Sequence, residues 1–298
     1  MHDITPAPVV EPTGKTARVL IIGATGYIGS AVAEAAAARG HEVVALARRG
    51  QVTGYRTVSG DLTRPDTLAA AVNTVRPDAI IHAGNPTGDV ASDLSAMAAL
   101  LDYGAALIYT SGIWWLGAVG DHPFAEDPPV GDTPRARIER MVLAAADRVR
   151  TVVIRPAIVY GRGGGIPAEM IGWACRYGIG RYVGMPGTRW PAVHVDDLAA
   201  LFVKAVERAE PGAILHGVGE EGVPVADIAA AADIAAGGTG RTQPWPVTDA
   251  AAEIGEQYAR WLALDQVISS TRTRETLDWR PGRPSLVEDI AAGSYRSS

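Results

Sequence analysis

The strongest constraint on the fold is the segment of residues 18–29, an apolar strand that runs into three evenly spaced glycines and continues as an alanine-rich helix. A strand buried on both faces is a near-continuous run of Val, Ile and Leu, as residues 19–22 are. The turn formed by Gly23, Gly26 and Gly29 lets a pyrophosphate approach the backbone at the N-terminus of the next helix. The segment therefore predicts a dinucleotide site in an α/β protein.

Short apolar stretches alternate with helical stretches from residue 17 to about residue 155, which is typical of a doubly wound parallel sheet. The predicted strands are residues 18–22, 42–47, 57–59, 79–82, 106–110 and 151–154. The predicted helices between them are residues 27–39, 65–75, 90–103 and 135–147. We expect an α/β fold, a Rossmann-type doubly wound parallel sheet with a smaller, mainly helical C-terminal substrate lobe.

The regular alternation of strands and helices ends after Arg155, where glycine- and proline-rich segments predict loops. We predict a disordered tail at 1–16, a dinucleotide-binding domain at 17–160 to which 191–217 returns, and a substrate-binding lobe at 161–190 and 218–298. Further helices are expected at 167–177, 225–236 and 250–261. Another helix ends at Arg208, and Asp196 or Asp197 is placed to cap its start.

Composition narrows the classes of partner. The net charge of −6 argues against nucleic acid, which needs a basic face, and no apolar run is long enough to span a bilayer. Residues 1–16 lack the basic start and apolar middle of a secretory signal, and the single cysteine, Cys175, fits a reducing cytoplasm. We therefore expect a cytoplasmic protein with a small-molecule substrate, no nucleic-acid or membrane partner and no metal site.

The end of the second strand bears on the choice of nucleotide. An acidic residue there binds the ribose 2′-hydroxyl of NAD, whereas arginine accommodates the 2′-phosphate of NADP. Here the strand ends in Arg48 and Arg49, and no carboxylate lies between Glu42 and Asp61. The pattern favours NADP(H) over NAD(H), with solvated surface arginines as the alternative.

Several further motifs occur in a consistent order along the chain. They are Gly60-Asp61-Leu62, Ile81-His82-Ala83-Gly84, Tyr109-Thr110-Ser111, Ile154-Arg155-Pro156, Val159-Tyr160-Gly161, Val193-His194-Val195-Asp196-Asp197 and Leu277-Asp278-Trp279-Arg280-Pro281. With the glycine turn, they make the chain resemble the extended short-chain dehydrogenase/reductases, the NAD-dependent epimerase/dehydratase family. The resemblance runs from about Arg18 to Pro281.

The resemblance implies a role for each matching position, with a strand-end or turn role as the alternative. Asp61 and Leu62 would lie beside the adenine, and residues 83–85 along the middle of the cofactor. The implied cofactor residues are Gly23, Thr25, Gly26, Tyr27, Ile28, Gly29, Arg48, Asp61, Leu62, Ala83, Gly84, Asn85, Thr110, Pro156, Ala157 and Ile158. The implied catalytic hydroxyl is Ser111, and the expected substrate-side residues are Trp114, Trp115, Arg162, Trp190 and His194.

The chain departs from this family in lacking its Tyr-x-x-x-Lys pair, in which lysine lowers the tyrosine pKa so that tyrosine can exchange a proton. Alignment through Glu139 puts Gly131 in place of the tyrosine and Arg135 in place of the lysine, with Arg137 as a second candidate. Arginine keeps a positive charge but cannot relay a proton at neutral pH. The usual acid is missing, which typically forfeits a factor of about 10²–10⁴.

Three functions remain open from the sequence. The first is an atypical NADPH-dependent reductase of a carbonyl, enone, imine or iminium compound, with Ser111 holding the acceptor, Arg135 supplying charge and Tyr160 available as a proton donor. The second is a redox-neutral epimerase, isomerase or cyclase of the same fold. The third is a non-catalytic nucleotide sensor. Relatives often form homodimers through their fourth and fifth helices, and a homodimer is possible here.

Overall fold

A computed structural model describes residues 16–118, 122–127 and 131–295 of the chain. Residues 1–15 of the predicted tail lie outside the described residues.

A parallel sheet forms the centre of the larger part of the molecule, as the sequence predicts. It has seven strands, because Ala213–Gly217 adds one to the six that the sequence indicates. Its strands are β1 (Arg18–Ile22), β2 (Glu42–Ala47), β3 (Arg56–Ser59), β4 (Ala79–His82), β5 (Ala106–Thr110), β6 (Thr151–Pro156) and β10 (Ala213–Gly217). Their order across the sheet is β10-β6-β5-β4-β1-β2-β3. Strands β2 and β3 follow β1 on one side, whereas β4, β5 and β6 extend the sheet on the other side of β1. The strand order therefore reverses between the neighbours β1 and β4, and such switch points are where these sheets bind ligands.

Helices cover both faces of this sheet. They are α1 (Tyr27–Ala38), α2 (Pro65–Val75), α3 (Val90–Asp102), α4 (Pro134–Ala144) and α6 (Val195–Arg208). Val19 and Ile21 pack with α1 and α6, whereas Leu20 and Ile22 pack with α2 and α3. Successive side chains of a strand point to opposite faces, so a strand covered on both sides must be apolar throughout.

A second lobe has its own hydrophobic core, which includes Tyr160 and Trp190. Its strands are β7 (Ile158–Tyr160), β8 (Gly180–Val183), β9 (Arg189–His194), β11 (Glu220–Pro224) and β12 (Thr242–Trp245), and its helices are α5 (Gly165–Tyr177), α7 (Val225–Ala235), α8 (Val247–Ile254), α9 (Glu256–Leu262) and α11 (Leu286–Ala292). The remaining helix, α10 (Thr271–Leu277), packs instead with β10 and α6 of the larger part. Leu277 and Trp279 belong to the core beneath α1 and α6.

Two local predictions are wrong. The helix expected at 250–261 is two helices, because Gly255 adopts φ 89° between α8 and α9 and breaks the helical path. The helix ending at Arg208 is capped by His194, whose Nδ1 accepts the Asp196 N–H at 3.1 Å. Asp196 and Asp197 lie in its first turn, where their charges favour the helix dipole.

Within the described ranges, none of the helices combines the length and the apolar character needed to cross a bilayer.

Candidate functional site

A cavity of about 1050 Å³ opens at the carboxyl ends of β1, β2 and β4, at the switch point of the sheet. Its lining includes Gly23, Thr25, Gly26, Tyr27, Ile28, Arg48, Asp61, Leu62, Ala83, Gly84 and Asn85, all of which the sequence proposes as cofactor residues. The lining also includes Arg49, which the sequence places beside Arg48 at the end of the second strand. Further lining residues, which the sequence reasoning did not name, are Ile22, Leu46, Ala47, Gln51, Val52, Gly60, Thr63, Pro86 and Thr87. Most of these follow directly on β2, β3 or β4, and this proximity to strand ends is the signal that could have found them.

The glycine turn forms one wall of the cavity. Gly23 has φ +87°, and a Cβ there would lie 2.7 Å from the Ala83 carbonyl oxygen and the Gly84 nitrogen. A Cβ at Gly29 would lie 2.0 Å from the Gly23 carbonyl oxygen, so α1 packs directly on the turn. The helix begins after Gly26 with neither a side-chain cap nor an acidic residue in its first turn. This arrangement fits the pyrophosphate of a dinucleotide, because uncapped N–H groups and the helix dipole favour an anion.

Two arginines border the same cavity. Arg48 and Arg49 are exposed, and within the part of the chain that the structure describes neither pairs with a carboxylate. Asp61 accepts hydrogen bonds from the Thr63 N–H and hydroxyl, both at 2.9 Å, and these bonds hold the Asp61 pKa below its usual value. The end of β2 therefore presents positive charge to a ligand.

Five of the proposed cofactor residues lie outside this lining: Gly29, Thr110, Pro156, Ala157 and Ile158. Residues 156–158 connect β6 to β7, between the large sheet and the second lobe. Thr110 ends β5, and its hydroxyl is buried without a hydrogen-bond partner among the described residues. The roles of all five in cofactor binding stay predictions.

The Ser111 hydroxyl is already engaged in a hydrogen bond within the protein. It donates a short hydrogen bond to Glu139 of α4, and the Ser111 backbone N–H donates to the Ile154 carbonyl oxygen at 2.7 Å. Arg155 pairs with the same carboxylate at 2.6 Å, and both charged side chains are fully buried. Since a serine hydroxyl has one proton, Ser111 has none left for a substrate oxygen while it is bonded to Glu139.

Further polar contacts connect Arg155 of this buried pair with His216 and, through it, with Thr273 of α10. Arg155 donates to the Asp127 carbonyl oxygen at 2.9 Å and lies 3.4 Å from Nε2 of His216, whose backbone N–H donates to Thr273. The sequence reasoning missed this network. An arginine in an otherwise apolar buried strand was the available signal, because a buried charge must be paired.

Arg135 lies at the carboxyl end of β5. Its guanidinium donates to the Tyr109 hydroxyl at 2.9 Å and to the Thr110 carbonyl oxygen at 3.1 Å. The same group lies 5.2 Å from the ring centre of Trp115. The structure thus brings together Arg135, Trp115 and Thr110, three of the residues that the sequence proposes for the site.

Trp114 faces the second lobe, where its ring stacks on Trp261 at 4.9 Å and meets Tyr258 edge-on at 6.0 Å. All three rings are partly exposed. They form an aromatic wall between the end of β5 and α9. The sequence reasoning named only Trp114 of this wall, because stacking partners so far apart in the chain carry no local signal.

Four other proposed residues have partners of their own. The Tyr160 hydroxyl donates to the Pro284 carbonyl oxygen at 2.7 Å, and burial together with Glu220 raises the Tyr160 pKa, which opposes its service as a proton relay. The Trp190 indole N–H is bonded to the Leu262 carbonyl oxygen at 3.0 Å. Arg162 pairs with Glu34 and Asp196, each at 2.7 Å, and His194 caps α6. These contacts stabilise the second lobe and its border with the larger part of the molecule. They are structural roles for all four side chains: Tyr160, Trp190, Arg162 and His194.

His82 makes the stability of the protein depend on pH. Burial, with a contribution from the charge of Arg135, lowers the His82 pKa from 6.5 to about 4. The unfolded chain therefore binds the proton more readily, and the free energy of unfolding falls as the pH drops from about 6.5 to about 4. We expect this group to account for up to about 3 kcal/mol of that loss.

Urea unfolding of the wild type and of His82→Asn at pH 7 and at pH 4.5 measures this contribution. The variant, which cannot titrate at this position, should lose less stability on acidification than the wild type. Equal losses in the two proteins would assign the pH dependence to other groups.

Comparisons with known sequences agree with this architecture. A protein-family model, the NAD dependent epimerase/dehydratase family, matches residues 19–114. The uncharacterized protein YLL056C of Saccharomyces cerevisiae is 30% identical over 304 residues, which cover 92% of this chain and 98% of the yeast protein. The 2-alkyl-3-oxoalkanoate reductase of Stenotrophomonas maltophilia is 30% identical over 229 residues, which cover 67% of this chain and 68% of that enzyme.

Solved structures share the fold over nearly the whole chain. The human epimerase family protein SDR39U1, solved with NADPH, is 25% identical with a TM-score of 0.72, and the match covers 92% of this chain and 98% of the human one. The UDP-glucose 4-epimerase of Thermus thermophilus, solved with NAD, is 23% identical with a TM-score of 0.72, and the match covers 92% and 99% of the two chains. Nicotinamide dinucleotides of both kinds thus occur in proteins of this shape.

Proposed function

The chain belongs to the NAD-dependent epimerase/dehydratase family, and on that premise we propose that it is an NADP(H)-dependent oxidoreductase that reduces a small organic molecule. The observation that carries this proposal is the pair Arg48 and Arg49 at the end of β2, exposed on the cavity beside the glycine turn. A 2′-phosphate fits this positive edge better than a ribose hydroxyl does, because the position that would hold an acidic residue holds arginine.

The other residues of the cavity fit the remainder of the cofactor. The first turn of α1 would hold the pyrophosphate, and the apolar side chains of Leu46, Val52 and Leu62 would border the adenine. When bound, the nicotinamide cofactor supplies a hydride. The chain's own contribution is to hold and orient both partners at the carboxyl edge of the sheet.

Reduction rather than epimerisation is the chemistry that we propose. Two features support it: the absence of a Tyr-x-x-x-Lys pair for reversible proton exchange, and a relative that is named as a reductase of 2-alkyl-3-oxoalkanoates. A reductase can leave protonation of its product to water, whereas an enzyme that must remove and return a proton needs a positioned base.

Replacement of Arg48 tests the cofactor assignment. We expect Arg48→Ala to weaken NADPH binding by roughly ten- to a hundredfold, the value of a lost charge-assisted hydrogen bond, while NADH binding changes little. Titrations followed by nicotinamide fluorescence measure both affinities. The matched control is Arg56→Ala, which removes an exposed arginine of β3 that pairs with Glu42 outside the cavity lining.

A turnover assay with the wild-type protein tests the reaction itself. Ketones and enones are offered with NADPH, and the absorbance of the reduced nicotinamide is followed. A reductase must consume that signal in step with product. Substrate conversion with a constant signal would mean redox-neutral chemistry, and failure of the wild type to bind either nucleotide would contradict the proposal altogether.

The reducing cytoplasm is the compartment that we propose for this activity, since Cys175 is the only cysteine and a disulfide within one chain needs two. A small-molecule substrate is the partner that we propose, because the aromatic wall and the cavity edge suit an organic ligand.

A further inference from the structure

Two side chains that can only donate hydrogen bonds lie together at the carboxyl end of β5. They are Arg135, whose guanidinium is fixed by Tyr109 and Thr110, and Trp115, whose ring lies beside that guanidinium. Trp115 also covers Gly112, where a Cβ would lie 2.8 Å from the indole ring. The absence of a side chain at Gly112 therefore gives the indole its place against Arg135.

The hydrogen-bonding capacity of this pair is not filled by acceptors among the described residues. The Trp115 Nε1 atom is buried without a hydrogen-bond partner among the described residues, as is the Thr110 hydroxyl. No carboxylate of the described ranges pairs with Arg135, and its charge contributes to the low pKa of His82. Buried donors without acceptors are rare in proteins, and a ligand is one means of satisfying them.

The register of the sheet places this pair beside the cofactor cavity. His82 of β4 is opposite Tyr109 of β5, so the next residues, Ala83 and Thr110, are neighbours at the same edge. Ala83 lines the cavity, and Thr110 accepts the hydrogen bond from Arg135. The donors thus lie beside the cavity, outside its lining, on the β5 side of the sheet and not on the β2 side that carries Arg48.

We propose that Arg135 and the Trp115 indole N–H hold the oxygen of the hydride acceptor, and that the acceptor is a ketone or an enone rather than an iminium compound. The inference rests on the proposed function and names its substrate class. When a hydride adds to the acceptor, the C=O π electrons move to the oxygen, and in an enone the C=C π electrons form a new C=C bond at the same time. The product anion is an alkoxide or an enolate. A bound nicotinamide cofactor would supply the hydride with its two electrons, and water would supply the proton that completes the product.

The chemistry of the two donors decides between the acceptors. Neither a guanidinium nor an indole N–H can accept a hydrogen bond, so the atom that they bind must be an acceptor. Arginine stays charged at any working pH, and its charge stabilises a developing oxyanion but repels an iminium. The pair therefore replaces proton donation by electrostatic stabilisation of the negative charge.

Binding of charged probes tests the proposal without turnover. Benzoate and benzylammonium, which have similar size and opposite charge, are titrated calorimetrically into the full chain saturated with NADP⁺. We expect the wild type to prefer benzoate. In Arg135→Met and in Trp115→Phe, benzoate affinity should fall by roughly tenfold, and Arg135→Met should also remove the preference for the anion.

The matched control is Arg140→Met, which removes an exposed arginine of α4 that also pairs with an aspartate, Asp132. It should leave both probes and NADP⁺ unaffected. Retained NADP⁺ affinity in Arg135→Met and Trp115→Phe shows that these variants are folded and that their loss concerns the acceptor side.

Two results would overturn the assignment: no benzoate preference in wild type that binds NADP⁺, or unchanged benzoate affinity in both variants. If NADP⁺ affinity also falls in both variants in the second case, the donors belong to the cofactor. Wild type that fails to bind NADP⁺ would instead remove the proposed function and, with it, the premise of the inference.

Discussion

Gly29→Ala should disrupt the nucleotide site strongly. Its Cβ would lie 2.0 Å from the Gly23 carbonyl oxygen, which is backbone and cannot rotate away. Helix α1 must then move off the glycine turn. We expect a loss of stability on the order of 3 kcal/mol, typical of severe overpacking, and at least about a tenfold loss of NADPH affinity.

Gly172→Ala is the matched control, because Gly172 also lies inside a helix, α5, but is exposed with nothing within 4 Å of its Cβ position. There the added methyl should stabilise the protein by about 0.5–1 kcal/mol, the cost of glycine in a helix. Urea unfolding and NADPH titration of both variants measure the contrast. Similar stabilities for the two would show that α1 does not pack on the turn as described.

The second large effect should come from the buried ion pair. Arg155→Met leaves the Glu139 carboxylate fully buried with the Ser111 hydroxyl but without its cation. Removal of one partner of a buried pair typically costs about 3–5 kcal/mol, because the remaining charge is uncompensated. We expect the melting temperature and the free energy of unfolding of Arg155→Met to fall accordingly.

Two comparisons isolate the cause. Arg260→Met breaks an exposed pair with Glu256 one helical turn away and should change stability by less than about 0.5 kcal/mol. The double variant Glu139→Leu with Arg155→Met removes both charges and should lose less stability than Arg155→Met alone. A double variant that is less stable than the single would indicate that shape, and not the unpaired charge, dominates.

The fold and the nucleotide cavity were largely predictable, because their determinants are local in the chain. The apolar runs of β1, β2, β4 and β5 predicted those strands with the bounds that the structure shows, since a strand buried on both faces leaves a continuous signal. The glycine turn likewise specified its own conformation. Errors came at Gly255 and at His194, where one glycine dihedral and one side-chain cap, not the hydrophobic pattern, decide the path of the chain.

The partners of the polar groups were not predictable in the same way. Ser111 and Glu139 are 28 residues apart, Glu139 and Arg155 are 16 apart, and Tyr160 meets the carbonyl oxygen of Pro284 across 124 residues. No periodicity in the sequence connects positions so far apart. The sequence could therefore name Ser111 and Tyr160 as candidates, but it could not show that both hydroxyl groups already donate hydrogen bonds within the protein.

The sequence by itself thus determined the parallel sheet, the glycine turn and the positive end of β2, since each depends on residues close together in the chain. Only the tertiary structure decided that the Ser111 proton is bonded to Glu139 and that Arg135 and Trp115 lie together beside the cavity. The reason is physical: backbone conformation and burial follow from local pattern, whereas the use of a donor depends on which acceptor the packed helices and strands bring within about 3 Å of it.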